Sequence, residues 1–526
     1  MSRRKPVGRI SFVGVGPGDP GLLTRRALAA IAEAEQLFYD SSVPEQLLTA
    51  IRETAPEDAT FTVVDADPAE AAKNVLAGAR AGTNVARLVH GDVMTNSHVA
   101  KEVQAVTKTV VPFEVLPGVN HADGVATYAG TPLGGLRTIV DVHDAATVDF
   151  AALPEIPGSL VITVDANDLT TVRNGLIEAG FDPANQVSIT GEGTTEIQST
   201  SVTTLESVAD AAIGLFGRLV LTFGAGVAQR GKYAWWESRA LYGWKVLVPR
   251  TKEQAGSMSA RLRVWGAIPC EVPTIAVEPP RTPAQMERAI KGLVDGRYAW
   301  VVFTSANAVR AVWEKFGEHG LDARHFGGVR IACIGEATAD AVRAFGIQPE
   351  LIPSGEHSSE GLLEDFPPYD KVLDPIDRIL LPRADIATEI LAAGLQERGW
   401  EIDDVTAYRT VRAAPPPADI RDAIKSGGFD MVLFTSSSTV RNLVGIAGKP
   451  HARTVICCIG PKTAETAREL GLRVDVQPEE ANVEALIESS AEYALELREK
   501  MANMTTKPRR GAKIQGPTAG RLANRG

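Results

Sequence analysis

VVFTSANAVR (301–310) recurs as VLFTSSSTVR (432–441), and this pair decides the fold of the C-terminal half. Each decapeptide opens on a short apolar, β-branched run, reaches Thr-Ser, and then turns to residues that start a helix. Two more pairs flank it in the same order. VLVPR (246–250) recurs as ILLPR (379–383), and ACIGEATADAVRAFGI (332–347) recurs as CCIGPKTAETARELGL (457–472). Three blocks repeated in one order mark an internal duplication. Short strands alternating with amphipathic helices predict an α/β fold of two similar lobes, with parallel sheets flanked by helices. Ligands of such sheets bind beyond the carboxyl ends of the strands, where both Thr-Ser and both Ile-Gly turns fall.

These four turns place hydroxyls and backbone N–H groups at helix starts, an arrangement suited to anions. Thr304, Ser305, Thr338, Ser436 and Thr463 are the candidate ligand residues. Each also fits an ordinary helix cap. Arg250 and Arg383 end the duplicated first strands, so they pair with ligand carboxylates or brace the lobes. The vicinal Cys457-Cys458 lies inside a strand and reads as buried filler.

The N-terminal half starts with the strand GRISFVGVG and the turn VGVGPGDPGLLT (13–24). A dinucleotide fingerprint would need glycine at position 19, where Asp19 stands. Gly14, Gly16 and Gly18 still permit positive φ and close backbone approach, and Pro17 and Pro20 stiffen the loop. Strands NVARLVHGD and FEVLPG follow; IVDVH (139–143), SLVITV (159–164), QVSIT (186–190) and GRLVLTFG (217–224) suggest a second α/β unit. AWWESRALYGWK (234–245) reads as a link whose aromatic residues supply packing surface.

With 526 residues the chain has room for three or four domains. Its 44% apolar and 23% charged residues fit globular domains rather than disorder. No apolar run is long enough to span a bilayer, and MSRRKPVGRI lacks the core of a secretory signal. Four cysteines without CxxC spacing exclude a disulfide scaffold and a thiolate metal site, so a cytoplasmic protein without a resident metal is expected. The net charge of −11 gives nucleic acid no electrostatic help. Residues 501–526 carry basic but no acidic side chains and read as a disordered tail.

GPGDP with LLT, Tyr39-Asp40, Gly91-Asp92, LPGV (116–119), YAGTPL (128–133) and GTTEIQ (193–198) resemble the tetrapyrrole methylase family, most closely the uroporphyrinogen-III C-methyltransferases. The resemblance covers residues 8–228, in subdomains of about 8–135 and 136–228, with a linker at 229–243. It implies a homodimer and S-adenosylmethionine held between the subdomains by Gly16, Pro17, Gly18, Asp19, Gly91, Asp92, Gly130, Thr131 and Pro132. The sequence departs from the family at His90, where a glycine is usual, at Ser41-Ser42-Val43, at Gly134-Gly135-Leu136 and at Val164-Asp165-Ala166. Two readings therefore stand: a methyltransferase, or a non-catalytic dimerisation or cofactor-binding module.

VLVPR, FTSANAVR, CIGEATA, HSSEGLL (357–363), LPRAD, AYRT, FTSSSTVR and CIGPKTA resemble uroporphyrinogen-III synthase across residues 244–490. The family pattern implies lobe one at 244–277 plus 413–490 and lobe two at 278–412, joined by a two-stranded ladder. The implied reaction cyclises hydroxymethylbilane, a linear tetrapyrrole with eight carboxylates, to uroporphyrinogen III with inversion of the last ring. It implies no cofactor. Tyr408 of AYRT is the candidate proton donor, because a phenol assists a leaving hydroxyl without carrying charge. Thr338 is the second catalytic candidate. Thr304, Ser305, Ser359, Ser436, Thr463, Arg250 and Arg383 are the expected substrate contacts. The expected partner is the tetrapyrrole alone, with neither nucleic acid nor membrane.

Overall fold

The computed structural model describes residues 7–505 apart from 65–66, 143, 156, 251 and 387. Two compact units emerge. The first comprises the described residues up to Val246 with Ala260–Pro269 and those from Ile487 onward; the second comprises Leu247–Ser259 and Cys270–Leu486.

The first unit contains two five-stranded sheets. Strands β1 (Ile10–Gly14), β2 (Gln36–Tyr39), β3 (Thr60–Val63), β4 (Val85–Val89) and β5 (Phe113–Leu116) form a parallel sheet in the order β3-β2-β4-β1-β5. Every residue of ISFVG and VARLV is buried, as expected of central strands covered on both faces. The turns after β1, β4 and β5 meet at the carboxyl edge. Gly16 and Gly91 exchange backbone hydrogen bonds of 3.1 and 2.9 Å, and Asp92 Oδ2 accepts from the Gly118 N–H at 3.0 Å. A Cβ at Gly118 would sit 2.3 Å from the Gly91 carbonyl oxygen. Glycine is required here by crowding between backbones.

The second sheet comprises β6 (Arg137–Asp141), β7 (Ser159–Asp165), β8 (Gln186–Gly191), β9 (Ser199–Thr204) and β10 (Arg218–Phe223), ordered β6-β7-β10-β8-β9. It is mixed: β6 and β7 are parallel and the remaining pairs antiparallel. Strand β9, STSVTT, escapes the sequence reading because it is an edge strand without an apolar face. The segment expected as a linker folds onto this unit. Trp236 and Tyr242 are buried with Tyr128; Trp236 Nε1 donates to the Thr195 carbonyl and the Tyr242 hydroxyl to the Gln198 carbonyl.

Nine further strands build two more sheets: β11 (Lys245–Arg250), β12 (Ile268–Pro273), β13 (Ile275–Glu278), β14 (Trp300–Phe303), β15 (Arg330–Cys333), β16 (Arg378–Ala384), β17 (Glu401–Arg412), β18 (Met431–Phe434) and β19 (Val455–Cys458). Their orders are β12-β11-β18-β19 and β13-β17-β16-β14-β15. Strands β14 to β17 are mutually parallel where they pair, as are β18 and β19. Strand β17 serves twice: its first part pairs with β16, and Arg409–Arg412 pairs antiparallel with β13 as a two-stranded ladder. The second lobe's sheet thus takes Ile275–Glu278, a few residues before the boundary expected at 278.

The last helix runs Val483–Thr505, so the expected tail is helical over its first five positions; residues 506–526 lie outside the described residues. Arg498 on this helix donates to the carbonyls of Ser238, Arg239 and Ala240.

Replacing Gly118 by Ala should destabilise the first unit by about 1–3 kcal/mol, the usual cost of overpacking. Calorimetry should show a lowered transition temperature; an unchanged melt would mean the three turns can move apart.

Candidate functional site

Parallel strands deliver all their carboxyl ends to one edge, and in the second lobe that edge is tied together. Ile334 N–H donates to the Phe303 carbonyl at 3.1 Å, and Asp385 N–H to the Tyr408 carbonyl at 3.0 Å. Tyr408 lies on β17 opposite Ala384 and is 8% exposed, its ring among Val405, Ala407 and Phe303. Its hydroxyl is 3.0 Å from Ser305 Oγ. Ser305 Oγ also accepts from the Ala308 N–H at 3.1 Å, capping the helix Ala306–Glu318. Tyr408 and Ser305, 103 residues apart, are thereby in direct contact.

The first lobe repeats the plan with a different side-chain pattern. Ser436 caps the helix Ser437–Ala447 in a capping box with Thr439, and Ser437 Oγ donates to the Lys462 carbonyl at 3.0 Å, tying the two turns together. The Thr-Ser serines therefore act as caps. The Ile-Gly turns do not: Gly335 and Gly460 stand at the N-cap positions of their helices without a side-chain cap. Their φ values of −176° and −170° are extended, so conformation does not demand glycine. The His357 and Ala481 side chains approach so closely that an added Cβ would meet them at 3.2 and 3.3 Å. Thr338 and Thr463 occupy matching third positions in these helices, both 5% exposed. Burial pushes the matching thiols of Cys333 and Cys458 up to about 12, which leaves them inert filler.

The remaining expected contacts sit at or near the strand and helix ends. Arg383 is 7% exposed and engages all three guanidinium nitrogens: Nε with Asp404 at 2.7 Å, Nη1 with the Thr388 carbonyl at 2.6 Å, and Nη2 with Glu389 and Asp404. It braces the second lobe through these four bonds. Ser359 opens the helix Ser359–Asp365, whose cap is Ser358, bonded to the Gly361 N–H. Thr304 is half-buried at the end of β14. Arg250 ends β11, and its side chain lies outside the described residues. His357, beside Gly335, was visible in HSSEGLL, but the motif alone does not reveal its contact with the turn.

The first unit holds a cleft of about 1260 Å³. Pro17, Gly91 and Asp92 line it on one side; Asp141, Thr163, Glu192 and Arg218 line it from the second sheet. The other expected cofactor residues make contacts within the protein. Asp19 accepts from the Gly21 N–H and the Tyr128 hydroxyl at 2.8 and 2.7 Å, and its own N–H donates to Thr194 Oγ1. Gly16 bridges to Gly91, and Gly18 packs on Gly193–Thr195. Thr131 Oγ1 donates to the Ala126 carbonyl, Gly130 lies against the Tyr233 backbone, and Pro132 against Gly226. These motifs shape the cleft from behind. At this edge the backbones of Gly14, Gly91 and Gly118 pack directly on one another, and only Gly91 of the three also lines the cleft. Asp40, Asp92, Asp141, Asp165 and Glu192 line the cleft itself, and a wall of carboxyl groups suits a cationic ligand.

Both arginines of the cleft are spent. Arg87 pairs with Glu102 and Asp40 at 2.8 and 2.6 Å, and Arg218 pairs with Asp141 and Asp165. His90 and His121 meet edge to face at 4.5 Å between ring centres. His90 Nε2 is bonded to the Pro17 carbonyl, whereas neither covered nitrogen of His121 makes a hydrogen bond of normal geometry, the Arg218 backbone being only loosely in reach. Burial, with His90 as neighbour, pushes His121 well below the usual histidine range.

Comparison with known proteins follows the same division. The family Tetrapyrrole (Corrin/Porphyrin) Methylases matches residues 9–209, and Uroporphyrinogen-III synthase HemD matches residues 256–488. The Uroporphyrinogen-III synthase of Synechococcus elongatus is 30% identical over 267 residues, 48% of this chain and 97% of that protein. The chain belongs to the uroporphyrinogen-III synthase family. The Porphyrin biosynthesis protein HemD of Ruminiclostridium josui is 27% identical over 505 residues, covering 92% of this chain and 98% of that protein. Siroheme synthase 2 of Aeromonas hydrophila is 31% identical over 247 residues, 44% of this chain; the chain spans about half of its length (52%). The synthase domain is thus fused to a tetrapyrrole methyltransferase domain in one enzyme of tetrapyrrole biosynthesis.

A neutral His121 has a consequence for stability. Its folded pKa is depressed, so below the unfolded value of about 6.5 the unfolded chain binds the extra proton and stability falls with pH. The first unit should lose more melting temperature between pH 7.5 and 5.5 in the wild type than in His121→Gln. Equal losses would mean the imidazole protonates without cost in the folded state.

Proposed function

We propose that the second unit cyclises hydroxymethylbilane to uroporphyrinogen III through the Tyr408–Ser305 pair at the strand-end edge. The observation that carries this reading is their 3.0 Å contact, with Ser305 fixed by the helix it caps. Ser305 Oγ already accepts an N–H, so its own hydrogen can point to the Tyr408 oxygen. That leaves the phenol hydrogen for a substrate hydroxyl. Departure of that hydroxyl as water takes the C–O electron pair with it, and the adjacent pyrrole nitrogen supplies electrons to the cation left behind. The phenol gives its proton to that hydroxyl, the phenolate left behind accepts from the Ser305 hydroxyl and faces the cation, and it recovers a proton when the closed ring loses one. Thr338 and Thr463, at the matching uncapped helix starts, supply hydroxyls and neighbouring N–H groups to the carboxylates. Holding the linear chain in the geometry for ring inversion provides the rest of the effect.

The first unit is read as the methyltransferase that takes this product, with S-adenosylmethionine as methyl donor, in the cytoplasm. The match to the tetrapyrrole methylases and the carboxyl-lined cleft with Gly91 and Asp92 in its wall support a donor site. The donor supplies an electrophilic methyl group, and the residues around it orient the macrocycle and exclude water.

One experiment tests both parts: hydroxymethylbilane is incubated with the protein, with and without S-adenosylmethionine, and the products are separated. Uroporphyrinogen III is expected without the donor and its dimethylated derivative with it. The symmetric isomer at the uncatalysed ratio would sink the synthase reading, and an unmethylated product would sink the other. Tyr408→Phe should slow type III formation by roughly 10²-fold while Ser305 still caps its helix. An unchanged rate removes Tyr408 from the step.

A further inference from the structure

Glu192 is the group in the cleft that the assigned roles leave unused. It stands in the loop after β8, half-buried, and lines the cleft beside Gly193, Gly217 and Arg218. Its φ is +49°, and Thr194 follows at +64°; among the described residues these are the non-glycine positive values. A glutamate held in the left-handed region costs free energy unless the surroundings over-determine it. Here they do. Thr195 donates to the Glu192 carbonyl from its N–H (3.1 Å) and from Oγ1 (2.7 Å), and Thr194 N–H donates to Gln198 Oε1 at 2.7 Å. The neighbouring chain leaves room for the carboxyl: a Cβ at Gly217 would meet Glu192 Oε1 at 2.9 Å.

Despite this positioning, the Glu192 carboxyl has no hydrogen bond or ion pair among the described residues. The cleft's arginines are committed elsewhere, Arg87 to Glu102 and Asp40 and Arg218 to Asp141 and Asp165. Burial alone acts on its titration and raises it. An unpartnered, partly buried carboxyl is costly to keep, and donors brought by a ligand would relieve that cost.

We propose that Glu192 accepts hydrogen bonds from the pyrrole N–H groups of a reduced tetrapyrrole macrocycle in this cleft. The lining favours that end of the molecule. With both guanidinium groups spent and several carboxylates on the walls, the cleft is poorly suited to the macrocycle's acidic substituents. An inward ring of N–H donors, with those substituents directed to solvent, suits it better. Glu192 stands on the wall formed by the second sheet, whereas Gly91 and Asp92 lie on the wall formed by the first. When a ring carbon gains a methyl group, the positive charge that appears spreads onto the pyrrole nitrogen, beside this carboxylate. The inference rests on the methyltransferase reading for its macrocycle and is tested separately from it.

The test is anaerobic equilibrium dialysis of uroporphyrinogen III against the full chain without methyl donor, comparing wild type, Glu192→Gln and Glu192→Asp. Binding at the synthase site is common to all three, so the difference isolates the cleft. Glu192→Gln should weaken the cleft affinity about ten- to hundredfold, the value of a charge-assisted bond, with Glu192→Asp intermediate. Calorimetric titration of S-adenosylmethionine should change less than about twofold on the same scale. Equal macrocycle binding in wild type and Glu192→Gln overturns the inference, as does a loss confined to the methyl donor. If binding depends on Glu192 but added donor gives no methylated product, the inference stands and the methyltransferase reading falls.

Discussion

Every strand of a parallel sheet ends on the same edge, and the chemistry of this protein is arranged around that constraint. The short runs of the C-terminal half cannot pair with their sequence neighbours by a hairpin, because each is followed by a helix that carries the chain back. Thr304-Ser305, Gly335, Ala384 and Tyr408 come from four separate strands of one sheet and gather at its carboxyl edge. Tyr408 reaches Ser305 because β17 lies parallel to β16 and β16 to β14. An antiparallel β17 would send the AYRT element to the opposite edge.

The same edge in the first unit is used differently. There, side chains are absent where turns meet: Gly14, Gly91 and Gly118 bring three backbones into contact. The strand-end turns of one half thus carry hydroxyls, whereas those of the other are bare backbone packed on backbone. Net charge is a poor guide to either. The chain carries −11 overall, yet much of the acidic character of the cleft is taken up in ion pairs that hold Arg87 and Arg218 in place.

The duplication and its strand-helix alternation were legible because repeated apolar runs and helix-start residues are local signals. Helix capping also followed, but its allocation did not. Nothing local distinguishes Ser305 and Ser436, which cap, from Thr338 and Thr463, which do not; that depends on which residue takes the extended N-cap conformation. Arg383 looked equally suited to a ligand or a brace, and only the placement of Asp404 on the adjacent strand, with Glu389 and the Thr388 carbonyl, decides for the brace. Likewise GPGDP and YAGTPL pointed at a cofactor, yet Asp19 and Thr131 are spent on Tyr128 and Ala126.

By itself the sequence determined the two-part organisation, the parallel lobes and the family of each half, because these rest on periodicity and on motifs contiguous in the chain. Tertiary structure alone decided which polar groups remain free for a ligand. Satisfaction of a hydrogen bond is a property of pairs: the Glu192 carboxyl has no partner among the described residues while every guanidinium nitrogen of Arg383 is engaged, and each outcome is set by residues distant in sequence that packing brings near or keeps away.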